Sequence, residues 1–223
     1  MSQDKIGAIV RAAVGINHAY HGILLDVVNR LNSDNAAAWQ ARYAEAHEQG
    51  LPKKEPPKPV VYLKRLYENE QIVLSATDGS QVISPENDLA KSVFTAGIDH
   101  NFKNWRLDGV SRPTLATTAV VYEQVSDGAF AQIYASVGRP LEQLKWTPHQ
   151  VVMFSTMHCN RLRGGGYGNF FLLQRGLDFF VANVDVHTGG HLSVHVRQFS
   201  YGGVWFAKYR HRFVLPQLAP LAA

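Results

Sequence analysis

The sequence predicts an α+β protein in which an N-terminal helical hairpin precedes a domain with a C-terminal antiparallel sheet packed on helices. Three observations support this fold class. Residues 1–50 carry apolar side chains at steps of three and four, the spacing of one helix face. Residues 51–59 contain four prolines, which cannot continue a helix and favour an extended linker. From residue 167 onward, apolar–polar alternation interrupted by glycines indicates antiparallel strands.

The N-terminal segment is expected to form two helices. Apolar residues recur from Ile6 to Leu31, the residues Ser33-Asp34-Asn35 provide a turn, and a second helical segment ends at Gly50. Two short helices rarely stand alone in water, because their apolar stripe must be buried. Residues 1–50 are therefore predicted to contact a protein partner or a second copy of the chain, with docking on the following domain as the alternative.

The α+β domain is predicted to cover residues 60–218. Its first strands are expected at 60–66 and 71–76, followed by a hairpin turn at Asp78-Gly79. The remaining elements before residue 140 are a short helix opened by Ser84-Pro85, an irregular stretch over 98–113 and a helix over 126–137.

A longer helix is predicted to begin at Pro148 and to end near Arg163. Thr147 provides the N-cap, and Gln150 stands three residues later, which completes a capping box. Four strands are then expected in sequential order, over 167–175, 179–187, 191–199 and 204–214.

The turn at residues 188–190 determines which side chains share a face of this sheet. A three-residue loop sets Val186 opposite Leu192 and Val184 opposite Val194, so that one face becomes uniformly apolar. A two-residue loop would mix apolar and polar side chains, so we expect the three-residue loop. The other face should then carry His187, His191, Asp185, Ser193, Asn183, His195 and Arg197.

The polar face suggests a metal site. His187, His191, Asp185 and His195 would lie close enough across two strands to bind a divalent transition metal, which would support a metal-assisted hydrolase. The chain has neither an HExxH motif nor a paired-cysteine spacing, so an ordinary solvated strand face is the competing interpretation.

The positive charge is concentrated in the C-terminal part of the chain. The formal net charge is +4, and residues 160–223 contain seven basic and two acidic residues. Basic side chains near aromatic ones suit phosphate contacts and base stacking, which predicts a surface for nucleic acid or another anion. The predicted residues are Arg197, Lys208, Arg210 and Arg212 on alternate strand positions, expected on the histidine-bearing face, and Arg161 and Arg163 at the helix end. A solvent-exposed strand face and a complemented helix dipole are the alternatives.

Other candidate chemistry is weaker. His158 and Cys159 would point about 100° apart on a helix, so a thiol nucleophile is disfavoured and a buried cysteine is expected. Asp99 and His100 with Asp108 could form an acid–base site, or they could cap a turn locally.

Together these patterns predict a non-catalytic binding or assembly module rather than an enzyme. A structural subunit of a larger assembly is the third possibility. A lone cysteine and the lack of an apolar run long enough to cross a bilayer predict a soluble, cytoplasmic protein without membrane contact, although a virion component would have the same features.

Overall fold

The computed structural model describes residue 37 and residues 60–217 of the 223-residue chain. The chain divides into two units, Met1–Lys58 and Pro59–Ala223. The predicted hairpin over 1–50 and linker over 51–59 lie outside the described residues, apart from Ala37, which is helical and exposed.

The described part of the second unit is built on a nine-stranded mixed sheet. Its strands follow the order β1-β4-β9-β6-β7-β8-β3, while β2 also pairs with β4 and β5 with β6. The pairs β6–β9, β5–β6 and β3–β8 are parallel, and the others are antiparallel. The strands are β1 (Leu63–Arg65), β2 (Ile72–Leu74), β3 (Gly97–Ile98), β4 (Thr117–Gln124), β5 (Lys145–Trp146), β6 (Asn169–Arg175), β7 (Asp178–Val186), β8 (Leu192–Gln198) and β9 (Arg212–Pro216).

Short helices cover both faces of the sheet. They are α1 (Asp88–Val93), α2 (Asn101–Asn104), α3 (Phe130–Ala135), α4 (Leu141–Leu144) and α5 (Pro148–Met157). Helices α1, α2 and α5 contribute to the core on what we call the first face, which carries Val121, Phe171, Ala182, Val194 and Val214. Helices α3 and α4 contribute to the core on the second face, which carries Phe170, Leu172, Val181, Phe213 and Leu215. Among the described residues, no helix combines the length and apolar character that a bilayer crossing requires.

The predicted register of the β7–β8 hairpin is confirmed. Val186 pairs with Leu192, and Val184 pairs with Val194. Three residues form the loop, in which Gly189 has φ 83° and Gly190 φ 81°. These left-handed conformations are readily accessible only to glycine. The apolar set is buried on the first face, as the alternation of the sequence predicts.

The predicted capping box is also confirmed, but helix α5 is shorter than expected. The Thr147 side chain accepts a hydrogen bond from the Gln150 backbone, and the Gln150 side chain accepts one from the Thr147 N–H. The helix ends at Met157 because His158 leaves helical geometry, and its imidazole Nε2 lies 3.0 Å from the Val73 carbonyl. A short 3-10 turn, Cys159–Arg161, follows.

The C-terminal strands are not the sequential antiparallel set that the sequence predicts. The segment predicted as a strand over 204–214 becomes one only at Arg212, and 3-10 geometry occurs before it at Ala207–Tyr209. Strand β9 does not pair with β8. It lies between β4 and β6, antiparallel to the former and parallel to the latter. Strand β4, which the sequence analysis does not predict, thus holds β9 in the middle of the sheet.

The predicted hairpin at Asp78-Gly79 is wrong as well. Strand β2, which precedes the dipeptide, pairs with β4, and the next element along the chain is helix α1 instead of a partner strand. The dipeptide instead forms a turn beside Ser111, where the Gly79 carbonyl accepts a hydrogen bond from the Ser111 N–H at 3.0 Å.

Candidate nucleic-acid interface

Three of the six predicted basic residues are engaged within the fold. Arg161 forms an ion pair with Glu70, and its guanidinium lies 4.5 Å from the centre of the Tyr67 ring. Arg212 donates a hydrogen bond to the Arg161 carbonyl and lies 5.8 Å from the same ring. Arg163 approaches Glu123 to 3.8 Å. These three arginines are half-buried. They connect the turn after α5 to the loop between β1 and β2, to β4 and to β9.

Arg212 does not share a face with the predicted histidines, which corrects the expectation of one continuous basic face. Arg212 pairs with Asn169, which pairs with the first-face residue Val184. His195 instead pairs with Asn183, which is opposite the second-face residue Phe170. Because side chains alternate along a strand, the two sets lie on opposite faces of the sheet. The second face is also largely covered by α3 and α4.

The other three basic residues lie on or beside the segment that connects β8 to β9. Arg197 lies 5.1 Å from the centre of the Tyr201 ring, and the Lys208 ammonium lies 4.9 Å from that of Tyr209. Both cations lie over aromatic rings, where the electron-rich face attracts them. Arg210 is well exposed and approaches Glu123 only to 3.9 Å.

Several aromatic rings of this segment are exposed to solvent. Tyr201 is 46% exposed, Phe206 47% and Tyr209 39%. The rings of Tyr209 and Tyr167 lie 5.9 Å apart, and the Arg163 guanidinium lies 4.6 Å from the Tyr167 ring. We call this set the aromatic-basic surface; it comprises the half-buried Tyr167 and the exposed Arg197, Tyr201, Phe206, Lys208, Tyr209 and Arg210. A cavity of about 290 Å³ opens there between Tyr167, Phe206, Tyr209 and His211.

Trp205 anchors the segment and holds its other rings outward. Its ring packs 4.6 Å from that of Phe170 and 5.2 Å from that of Phe130. Its backbone exchanges two hydrogen bonds with Gly128, and the Gln124 amide donates to its carbonyl at 2.7 Å. Trp205 is half-buried against the second-face core, and the following Phe206, Lys208 and Tyr209 lie in a short exposed turn.

His211 packs against this segment, and its imidazole is neutral. Burial, together with the Arg163 guanidinium, lowers the pKa of His211 to about 4. Its Nδ1 accepts a hydrogen bond from the Gly168 N–H at 3.0 Å, and its ring contacts those of Trp205 and Tyr209. The part of the site beneath the surface is thus uncharged and aromatic, and the positive charges lie at the exposed positions.

The sequence analysis missed the exposed aromatic residues because it assigned residues 204–214 to one continuous strand. A signal was available. Trp205 and Phe206 are adjacent aromatic residues, so they break the alternation that a half-buried strand requires. The pair Gly202-Gly203 just before them also indicates a turn or loop.

The four predicted metal ligands do not form one centre. His187 Nε2 lies 2.8 Å from Ser193 Oγ, whereas His191 Nδ1 lies 3.0 Å from Thr95 Oγ1, so these two imidazoles have different partners. Over residues 60–217, no group of three His, Cys, Asp or Glu side chains is placed to hold a metal ion.

Asp185 instead belongs to a hydrogen-bonded cluster on the polar end of the second face. The Asn183 amide donates to both of its carboxylate oxygens at 3.0 Å, and His195 Nε2 lies 3.8 Å away. Burial raises the pKa of Asp185, while the Asn183 hydrogen bond and the neighbouring His195, His187 and Arg197 oppose that increase. Contacts within the fold thus account for the positions of the Asp185, Asn183 and His195 side chains.

Two further candidates are accounted for by local structure. Cys159 is exposed, contrary to the expected burial, because the helix ends before it and the residue lies in the 3-10 turn. Asp99 has a structural role, since its carboxylate accepts hydrogen bonds from the N–H of Asn101, two residues on, and from the N–H of Val196 in β8.

No known family model, curated protein or solved structure matches this chain.

Proposed function

We propose that residues 60–217 form a binding module for single-stranded nucleic acid, and that the aromatic-basic surface is the contact. One observation carries this proposal: three exposed aromatic rings and two cations that form no ion pair, Arg197 and Lys208, occur together around one short segment. Bases stack on exposed aromatic rings regardless of sequence, while neighbouring cations bind the phosphates.

The charges of the surface favour an anionic partner. Lys208 and Arg197 contact aromatic rings but make no hydrogen bond or ion pair with any described side chain. The nearby Asp127 carboxylate accepts a hydrogen bond from the Ala207 N–H at 2.7 Å, so it holds the turn in position. Each cation can therefore contact a phosphate without breaking an internal ion pair.

The exposed rings favour a single strand over a duplex. Aromatic side chains are large apolar groups, and a cluster of them on a surface typically marks a binding site. Tyr201, Phe206 and Tyr209 belong to a short irregular segment, not to a helix or ribbon shaped for the major groove of DNA. Unstacked bases of a single strand can reach such rings directly.

The proposal is tested by fluorescence anisotropy with a labelled oligonucleotide of about 15 nucleotides, a length matched to typical single-strand binding sites. We expect Tyr209→Ala to weaken binding by about 1–3 kcal/mol, or roughly 5- to 150-fold, and Tyr209→Phe to retain most of it. Lys208→Ala should reduce the salt dependence of the binding constant by about 0.7 in slope.

The matched controls change exposed residues outside the surface. Lys64→Ala removes an exposed ammonium on β1, and Leu177→Ala removes an apolar side chain that is 94% exposed. Both should bind as the unchanged protein does. If the full chain does not bind the oligonucleotide at about 50 mM salt, or if Tyr209→Ala binds equally well, the proposal is wrong.

A second role, contact with a protein partner through residues 1–50, rests on the apolar periodicity of that segment alone. It is compatible with nucleic-acid binding, since the two regions belong to different units of the chain.

A further inference from the structure

A wide cleft of about 910 Å³ lies at the opposite end of β6 from the aromatic-basic surface. Its walls come from the long loop between α2 and β4, from α4 and β5, and from the turn between β6 and β7. Arg175 ends β6 at the cleft, whereas Tyr167 lies just before the strand begins. Seven residues of strand, or roughly 20 Å, therefore separate the two features.

Four basic side chains line this cleft, and they come from three separate parts of the chain. Arg106 and Arg112 belong to the long loop, Lys145 to β5 and Arg175 to the end of β6. Glu142 is the one acidic residue in the lining. We call these four basic residues and the space between them the basic cleft.

The guanidinium groups of the basic cleft have no partners in the described chain. Arg106, Arg112 and Arg175 make no hydrogen bond, ion pair or ring contact through their side chains with residues 60–217. The Lys145 ammonium donates only to the neutral Gln174 amide, at 2.5 Å. By contrast, Arg161, Arg163 and Arg210 each approach a carboxylate. Four cations that share a cleft with a single carboxylate repel one another, and a bound anion relieves that repulsion.

Arg106 occupies a backbone position where glycine is the usual residue. It follows α2 in a Schellman arrangement: its own N–H donates to the Lys103 carbonyl, and the Leu107 N–H donates to the Phe102 carbonyl. Its φ is +55°, the left-handed region that is unfavourable for a residue with a Cβ. An arginine here strains the backbone, and no described contact of its side chain compensates for that strain within the fold.

We propose that the basic cleft binds a small ligand that carries a pyrophosphate or a similar cluster of phosphate groups. Planar guanidinium groups match phosphate oxygens in a bidentate geometry, and three of them with an ammonium suit more than one negative charge. The volume lies in the range of small-molecule sites. Trp146, which is buried with its Nε1–H donated to the Val214 carbonyl, adds an apolar wall for the rest of the ligand.

The test measures thermal unfolding of the full chain with increasing inorganic pyrophosphate. A ligand that binds the folded state raises the Tm in a saturable manner. We expect such a rise with pyrophosphate and none with sodium chloride at matched ionic strength. Equal stabilisation by the two salts, or none by pyrophosphate at millimolar concentration, overturns the proposal.

Arg106→Gly separates a ligand-binding role from a structural one. Glycine relieves the left-handed strain, so the Tm without ligand should rise by about 2–4 °C. The same change removes a guanidinium, so the affinity for pyrophosphate should fall about tenfold or more. Arg175→Gln should weaken pyrophosphate binding similarly. The matched control Arg65→Gln removes an exposed guanidinium on β1 and should bind pyrophosphate as before. Unchanged affinity in both cleft variants would refute the assignment.

The basic cleft is independent of the proposed nucleic-acid surface, and the variants distinguish the two. Tyr209→Ala should retain pyrophosphate binding, and Arg175→Gln should retain binding of the oligonucleotide. If Arg175→Gln instead abolishes oligonucleotide binding, the cleft is part of a nucleic-acid path and the small-ligand proposal fails.

Discussion

The neutral state of His211 makes the stability of the domain sensitive to mild acid. The imidazole is only 6% exposed, and its folded pKa of about 4 lies below the usual value of 6.5. Between these two pKa values the unfolded chain binds a proton that the folded chain does not, so the free energy of unfolding decreases as the pH falls. The contribution of His211 is complete above about pH 6.5 and is lost progressively toward pH 4.

The size of this effect follows from the two pKa values. At about pH 5 the unfolded imidazole is almost fully protonated, whereas the folded one is mostly neutral, which lowers the free energy of unfolding by about 2 kcal/mol relative to about pH 7.5. The limiting loss at still lower pH is about 3 kcal/mol. A change of 2 kcal/mol corresponds to roughly 4–8 °C in Tm for a chain of this length.

The variant His211→Asn isolates the contribution. Asparagine can still accept the hydrogen bond from the Gly168 N–H but cannot titrate, although it loses the ring contact with Trp205. Urea unfolding at about pH 7.5 and about pH 5 should show a pH-dependent loss that is smaller in the variant by about 2 kcal/mol. Other titrating groups, including Asp185 with its raised pKa, affect both proteins and cancel in the comparison.

The exposed His100 provides the control for this experiment. His100→Asn removes an imidazole outside the core and retains the contribution of His211. If the unchanged protein and His211→Asn lose the same free energy between the two pH values, then His211 is not held neutral by burial. The description of His211 as an uncharged ring beneath the aromatic-basic surface would then be wrong.

Two further predictions concern the organisation of the chain. The Asn169 side chain is fully buried, donates hydrogen bonds to the carbonyls of Arg163 and Val184, and accepts one from the Arg163 N–H. Asn169→Ala should therefore lower the free energy of unfolding by about 3 kcal/mol or more. As a control, Asn104→Ala at an exposed position should change the free energy of unfolding by less than about 0.5 kcal/mol. Residues 1–50 should make the full chain self-associate, so its mass in solution should exceed that of a monomer. A chain beginning at Val60 should be monomeric. If both chains are monomeric, self-association through residues 1–50 is excluded.

Local signals in the sequence were sufficient for the β7–β8 hairpin and for the start of α5. The alternation around Gly189-Gly190 admits one register that collects the apolar side chains on one face, and the structure has that register. Thr147 and Gln150 form their capping box within four residues, so no distant contact is needed.

The same local signals failed where distant segments decide the outcome. Residues 204–211 resemble a strand in composition, but the anchoring of Trp205 against Phe170 and Gly128 leaves the following residues without a strand partner. Strand β9 then pairs with β4 and β6, which are far from it in sequence. The consequence for the predicted basic surface is that Arg212 lies on the face opposite His195.

The amino-acid sequence by itself determined which short stretches alternate, where helix α5 begins and where glycine allows a tight turn, because those preferences depend on neighbours within a few residues. Tertiary structure alone decided which cations are neutralised and which remain free. Arg161 forms an ion pair with Glu70, and the Arg163 guanidinium approaches Glu123, both across long sequence separations. Arg106 and Arg175 line one cleft but form no ion pair with a described carboxylate. Charge pairing depends on distances of a few ångströms between segments remote in sequence, and only the folded chain establishes those distances.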